Sequence, residues 1–235
     1  MRRGWGILLL GFVVAGGGNG WGQPLTVAVT AFSGSTGATV VATGPASASV
    51  RIESSDSLSL WSVLTTLELD GNGTRQFQDT GASNVSQRYY RVVNLPLFGG
   101  GLYSVNLAGV VRMPVSTGWV LLANPLLSTN GTVASGFKSP ANGYSLFRLT
   151  AAGFEANNYL NGWSSPTMPF GPGQGFFLNN ASGVGATLTF FGEVPQGMLT
   201  SPIVAGSSLL SSIVPQAGAL ESTLGFPADY DVVYQ

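Results

Sequence analysis

"ASVRIESS", residues 48–55, alternates the apolar Val50 and Ile52 with the charged Arg51 and Glu53. A period of two is the signature of a strand with one buried face, because successive side chains leave opposite sides of the pleat. The same texture extends outward from Leu25 to about Leu97, in "LTVAV" (25–29), "GATVVATG" (37–44), "LWSVLTTLEL" (60–69), "TRQFQD" (74–79) and "RYYRVVNL" (88–95). Breaks fall at Gly, Pro, Asn and Asp. "DGNG", 70–73, separates two of these runs and predicts a hairpin turn, since Asn and Gly tolerate the positive φ of tight turns. Six or seven short strands over this stretch describe a small antiparallel β-sandwich.

Composition agrees. Charged residues make up 8% of the 235 residues, against a usual share of about 25%. Glycine contributes 34 positions. Solvent-facing helices need Lys, Glu and Arg on their outer face, so this balance favours strands and tight turns. Disorder is excluded by a hydrophobic share of 44% and an aromatic share of 11%. The formal net charge of −1 and the scattered arginines leave no basic stripe, so nucleic acid is not an expected partner. Cysteine and histidine are both absent, which removes disulfides, thiolate metal sites and cysteine nucleophiles, and with histidine the commonest general base and metal ligand. No cofactor is expected.

The N-terminus reads as an export signal over residues 1–22. Arg2 and Arg3 precede an apolar run, Ile7 to Ala15, which is too short to span a bilayer, and small residues follow. Cleavage after Gly22, with Gly20 two positions before it, would make Gln23 the first mature residue. The arginine pair hints at twin-arginine export, but "MRRGWGILLL" is otherwise that of a general secretory signal. Removing Arg2 and Arg3 leaves seven Lys+Arg against ten Asp+Glu, a mildly acidic mature chain with no expected membrane span.

The stretch "IESSDSLSLWSVLTTLELDGNGTRQFQDTGASNVSQRYYRVV", 52–93, resembles the fibronectin-type-III-like modules of large secreted bacterial proteins. In these a Trp follows an S-x-D run, an F-x-D comes later, and the module closes on R-Y-Y-R-V. The matching positions are Ser54, Asp56, Trp61, Phe77, Asp79, Arg88, Tyr89, Tyr90 and Arg91. The resemblance covers under a fifth of the chain and implies a structural or adhesive module over residues 23–97, with no catalytic residues.

"LPLFGGG", 95–101, suggests a boundary, with a linker at 98–102. Beyond it the character changes. Residues 103–205 read as one copy of a β-rich repeat and 206–235 as the start of an incomplete second. Gly118, Leu121 and Leu122 fall opposite Gly206, Leu209 and Leu210, and Gly136-Phe137 opposite Gly225-Phe226 after one insertion. Each copy carries a small-residue strand, a turn, a short helical stretch ("TVASGF", "ALESTLGF") and a Tyr-led strand.

Several motifs invite a chemical reading. "GPGQGFFLNN", 171–180, lacks the Lys-Ser/Thr and the helix of a phosphate loop. Lys138, the only lysine, is remote, so the glycines are expected to form a turn feeding a strand, with Phe176 and Phe177 facing the core or a neighbouring repeat. "DTGAS", 79–83, is similar to the active loop of aspartic proteases, but only one occurs where the chemistry needs two carboxylates, and Asp79 is already accounted for by the F-x-D position. Acid pairs for glycoside hydrolysis exist formally among the ten acids. Asp229 and Asp231 lack the companion oxygen ligands of a calcium loop. Asn72, Asn84, Asn130 and Asn180 begin N-glycosylation sequons.

Flat aromatics on a sandwich can stack on sugar rings. Trp61 and Trp119 sit in apolar strands and are expected in the core. Trp163, in the turn-rich "NGWSSP", is the expected exposed ligand-binding residue. The chain thus reads as an all-β, secreted, non-enzymatic structural or adhesive protein of the cell surface, with other surface proteins or polysaccharide as partners. A carbohydrate-binding module is the second reading and an acid-pair hydrolase the third.

Overall fold

The structure is a computed structural model that describes residues 23–94, 101–137, 140–203, 205–219 and 221–224. The export signal, Lys138, Gly225-Phe226, Asp229 and Asp231 lie outside the described residues. Among the described residues thirteen strands follow in order: β1 (Thr26–Ser33), β2 (Gly37–Thr43), β3 (Ser49–Ser55), β4 (Ser62–Glu68), β5 (Thr74–Asp79), β6 (Gln87–Asn94), β7 (Leu102–Tyr103), β8 (Ala108–Val115), β9 (Gly118–Ala123), β10 (Tyr144–Thr150), β11 (Gly153–Tyr159), β12 (Gly175–Asn180) and β13 (Ala186–Glu193). One helical turn, α1 (Val133–Gly136), occupies the "TVASGF" stretch. Ser135 Oγ accepts from the Thr132 backbone N–H at 3.1 Å to cap it. The fold is all-β, and every strand pairing among the described residues is antiparallel.

Three sheets form three layers. The first has the order β1-β2-β5, the central one β13-β8-β6-β3-β4, and the third β11-β10-β12-β9. Val27, Val29, Val40 and Ala42 of the first sheet meet Val50, Ile52, Tyr90, Val92 and Val110 of the central one. Val50 and Ile52 are fully buried, as the alternation in "SVRIES" requires. On the other side of the central sheet, Tyr89, Val111, Val115, Leu188 and Phe190 meet Leu122, Leu146, Phe176 and Leu178 of the third sheet, with Phe137, Met168 and Phe170 sealing the edge. β6 and β8 are therefore covered on both faces. That is why "YYRVV" and "AGVV" read as nearly continuous apolar runs rather than as alternation. Gly109 makes room in this double packing, because a Cβ there would meet the Tyr89 ring at 2.7 Å.

The turn at Asp70–Gly73 forms, with Asp70 Oδ1 accepting from the Asn72 and Thr74 N–H groups at 2.9 Å. The expected hairpin does not. β4 pairs with β3 in the central sheet and β5 with β2 in the first, so the turn carries the chain from one layer to the other. Local turn chemistry fixes the reversal but not the partner of the strand that follows.

Strands from the two sides of the expected linker at 98–102, of which 98–100 lie outside the described residues, meet in the central sheet. β6 and β8, from its two sides, pair from Gln87↔Val111 to Tyr90↔Ala108, and Leu102 at its end pairs with Asn94. The sandwich expected within 23–97 thus takes β8 from beyond that boundary. The segment matched to β9 in the second copy also lies against β12: Gly175 N–H donates to Leu209 O at 3.0 Å and Ser211 N–H to Gly173 O at 3.2 Å. Gly173, at φ +87°, makes the turn before β12, where "GPGQG" was expected to place one.

Candidate functional site

Asp79 is the end of β5, buried, and its carboxylate is saturated. It accepts from Gly81 N–H at 3.0 Å, Arg88 Nη1 at 3.1 Å and the Tyr90 hydroxyl at 2.9 Å. Three of the residues that carry the R-Y-Y-R and F-x-D pattern are thus one structural corner. Burial, together with the Asp79 charge and hydrogen bond, holds the Tyr90 hydroxyl well above its ordinary range. Burial and the more distant Asp56 charge do the same to Tyr89, whose hydroxyl donates to Pro215 O at 3.0 Å.

Among the other described acids, Glu53, Asp56 and Glu155 are paired with arginines. Glu53, buried, bridges Arg51 and Arg91 at 2.7 Å each. Arg88 reaches Asp56 and Arg148 reaches Glu155. The Arg91 guanidinium lies between the rings of Trp61 and Tyr103, 4.3 and 4.5 Å from their centroids. Trp61 is therefore half-buried over a cation rather than enclosed in the core. Among the described residues no group of three or more acids could hold a metal ion.

The tryptophans reverse the exposure expected of them. Trp163 is half-buried, its ring edge-on to Phe137 and Tyr159 at 5.3 and 5.2 Å, and its indole N–H donates to Phe137 O at 3.2 Å. The turn-rich segment folds it back onto the second core. Trp119 is 62% exposed. In β9 the residues Gly118, Val120 and Leu122 pair with the inward row of β12, which leaves Trp119 and Leu121 on the outer face. "GWVLL" is apolar on both faces, so its apolar character did not reveal which residue was inside.

Trp119 belongs to a surface that the sequence did not disclose. The strand registers place Leu121, Phe177, Phe147 and Ala156 in one row across the outer face of the third sheet, with Trp119, Asn179, Ser145 and Asn158 in the next. Phe154 and Leu149 pair beyond them. The rings touch: Trp119 to Phe147 at 5.1 Å, Trp119 to Phe177 at 6.5 Å and Phe154 to Phe177 at 5.8 Å between centroids. Leu121 and Phe154 are 52% and 57% exposed. None of these residues is charged. Of the expected pair in "GFF", Phe176 enters the core and Phe177 faces outward. The alternation of β12 assigns them to opposite sides.

A cleft of about 700 Å³ opens between β1 and β13, lined by Phe32, Arg112, Phe137, Tyr144, Leu188 and Phe190. Arg112 Nη1 is committed to the Ser83 and Val85 carbonyls on its wall. Of the sequons, Asn72, Asn84 and Asn130 are exposed. Asn180 is buried and its amide donates to Ser116 O and Val184 O, leaving no accessible nitrogen for a glycan.

Comparison of the chain with protein-family models, with curated proteins and with solved structures gives no match.

Proposed function

We propose that this chain is a secreted, non-enzymatic structural or adhesive element of the cell surface that makes contact through the aromatic face of its third sheet. The observation that carries the reading is the uncharged face holding Trp119, Phe147, Phe154 and Phe177. An exposed contiguous apolar patch marks a contact surface, and the layers behind it make that surface rigid. The fibronectin-like component draws support from the packing of the antiparallel sheet β1-β2-β5 on the antiparallel central sheet, and from the role of Asp79, Arg88 and Tyr90 as its corner.

The carbohydrate-binding reading moves from Trp163 to Trp119, whose row also holds Ser145, Asn158 and Asn179. The hydrolase reading has less support, since Asp79 and Glu53 are buried and held by arginines. The test is fractionation of cells expressing the full chain, with N-terminal sequencing of the product. Recovery outside the cell or on its surface, beginning at or near Gln23, is the expected result. Retention in the cytosol with the leader intact would overturn the reading.

A further inference from the structure

The edges of the sheets in this protein are finished unequally. β1, at the edge of the first sheet, carries a bulge between Val29 and Ala31. Its Val27 backbone is capped by the Asn106 side chain, whose Oδ1 accepts from Val27 N–H and whose Nδ2 donates to Val27 O, each at 2.9 Å. β4, at one edge of the central sheet, pairs with β3 through a second bulge, between Ile52 and Glu53. On β11, Ser164 N–H donates to Asn158 O at 2.9 Å. Bulges, caps and covering loops of this kind keep an edge from serving as a template for another strand.

β13, the opposite edge of the central sheet, has such protection only at one end. It pairs with β8 in unbroken register from Ala186 to Glu193. Val194 N–H donates to Leu107 O, and this fixes the alternation: Thr187, Thr189, Phe191 and Glu193 turn their backbone groups away from β8. On that side Leu127 satisfies Glu193, through bonds of 2.8 and 2.9 Å. Farther along, the N–H and C=O groups of Thr187 and Thr189 have no partner among the described residues. The stretch "ATLTFF", 186–191, contains no charge, no proline and no bulge.

This unpaired stretch opens into the cleft of about 700 Å³ beside β1. Phe32, packed on the first core, and Phe137 and Tyr144, in the second, all line it, so the cleft takes in both faces of the sheet edge.

We propose that the cleft receives an extended, acidic segment of another polypeptide, which adds to β13 as the next strand of the central sheet. Backbone chemistry selects the occupant. The free N–H and C=O pairs of Thr187 and Thr189 recur every second residue, about 6.6 Å apart at about 3.3 Å per residue. An extended polypeptide carries the complementary groups along one edge at the same repeat, which is the basis of binding by strand addition. The protein itself begins the arrangement: Leu127 occupies the line of the missing strand at Glu193, and the cleft continues that line. Side chains of the added strand would alternate between Phe32 on one face and Phe137 and Tyr144 on the other. Charge sets the rest. Arg112 is the one charged residue among those described around the cleft, and it has no carboxylate partner among the described residues. A basic strand is repelled there and an acidic one attracted. The site uses none of the residues of the aromatic face, and neither surface depends on the other.

Amide exchange of the full chain, followed by NMR, tests the proposal. In the protein alone Thr187 and Thr189 should exchange freely, while Leu188 and Phe190, bonded to β8, are protected. The probe is the capped peptide Thr-Val-Asp-Val-Thr-Val. It should slow Thr187 and Thr189 by at least about tenfold, saturably, and replacing its Asp by Lys should weaken binding by about tenfold. N-methylation of alternate peptide residues should abolish binding in one of the two phases, where the N–H groups face β13, and spare it in the other. Thr189→Pro removes an outward N–H without touching the ladder to β8, so binding is lost while circular dichroism and the unfolding midpoint stay near those of the parent. The N-methylated peptides act on the unaltered protein and decide the matter even where that variant misfolds. Thr187 and Thr189 amides already protected without peptide would show the edge covered by the chain itself or by a second copy, and would overturn the proposal. So would equal binding of both N-methylated peptides, or no binding at millimolar peptide. Cytosolic retention of the chain would sink the extracellular reading without bearing on this site.

Discussion

The Tyr90 hydroxyl donates to Asp79 Oδ2 at 2.9 Å, joining β6 of the central sheet to the end of β5 in the first. Both groups are buried, and Arg88 and Gly81 complete the carboxylate's coordination. The bond spans the two layers of the first core, at the point where the chain leaves one for the other.

Asp79→Ala strands the Tyr90 hydroxyl and removes the nearer partner of Arg88. Leaving buried polar groups unpaired sets the expected loss at about 2–4 kcal/mol of stability. Tyr90→Phe removes one hydrogen bond while keeping the ring, for about 1 kcal/mol. Urea unfolding measures both. An Asp79→Ala variant as stable as the parent would contradict the structural role and return interest to "DTGAS" as a chemical motif.

Alkaline pH should unfold the protein through its buried phenols. Tyr89 and Tyr90 are held above the ordinary range of a phenol by burial first, then by the charge of Asp56 for Tyr89 and of Asp79 for Tyr90. Their contribution is fully present below the unfolded value near 10 and is lost as pH climbs through the higher folded values. In a spectroscopic titration, these two of the seven tyrosines should ionise only as the sheet signal in circular dichroism disappears. Ionisation of all seven with the sheet signal intact would contradict this assignment.

Trp163→Ala should cost about 2 kcal/mol, because it empties the space against Phe137 and Tyr159 and orphans the Phe137 carbonyl. Trp119→Ala should stay within about 0.5 kcal/mol of the parent in dilute solution. Denaturant titration of the pair checks the reversal of their roles. Equal losses would place Trp119 in the core after all.

Alternation exposed the first core clearly: Val50 and Ile52 point into it, while Arg51 and Glu53 leave the opposite side of β3, where Glu53 is buried between Arg51 and Arg91. The glycine run at 171–175 likewise disclosed its turn. The aromatic face stayed hidden for a physical reason. β9 and β12 are apolar on both sides, so no period distinguishes Trp119 from Leu122, or Phe177 from Phe176. Trp163 misled in the opposite sense, since a turn-rich neighbourhood says nothing about where the loop folds. The partner strand of β5 and the extension of the central sheet past 98–102 are set by contacts distant in sequence, which no local pattern records.

Gly192→Ala should destabilise by about 1–3 kcal/mol, because a Cβ there would run into the Leu127 carbonyl. That carbonyl accepts from Glu193 N–H at 2.9 Å while Leu127 N–H donates to Glu193 O at 2.8 Å, a backbone pair that cannot retreat without breaking. Gly162→Ala, with open space around it, serves as the neutral comparison. Thermal unfolding distinguishes them, and a Gly192→Ala variant as stable as Gly162→Ala would show that this approach is not tight.

Because β8 contributes Val110 to one core and Val111 to the other, neither half has a private interior. A ribosome releasing this chain delivers β8 directly after the first seven strands, but β13 (Ala186–Glu193), which pairs with β8 (Ala108–Val115), follows only after the whole of the third sheet. Maturation must therefore be late and concerted. A pulling force on the finished molecule meets a single fused block with no seam at which one half can peel away first.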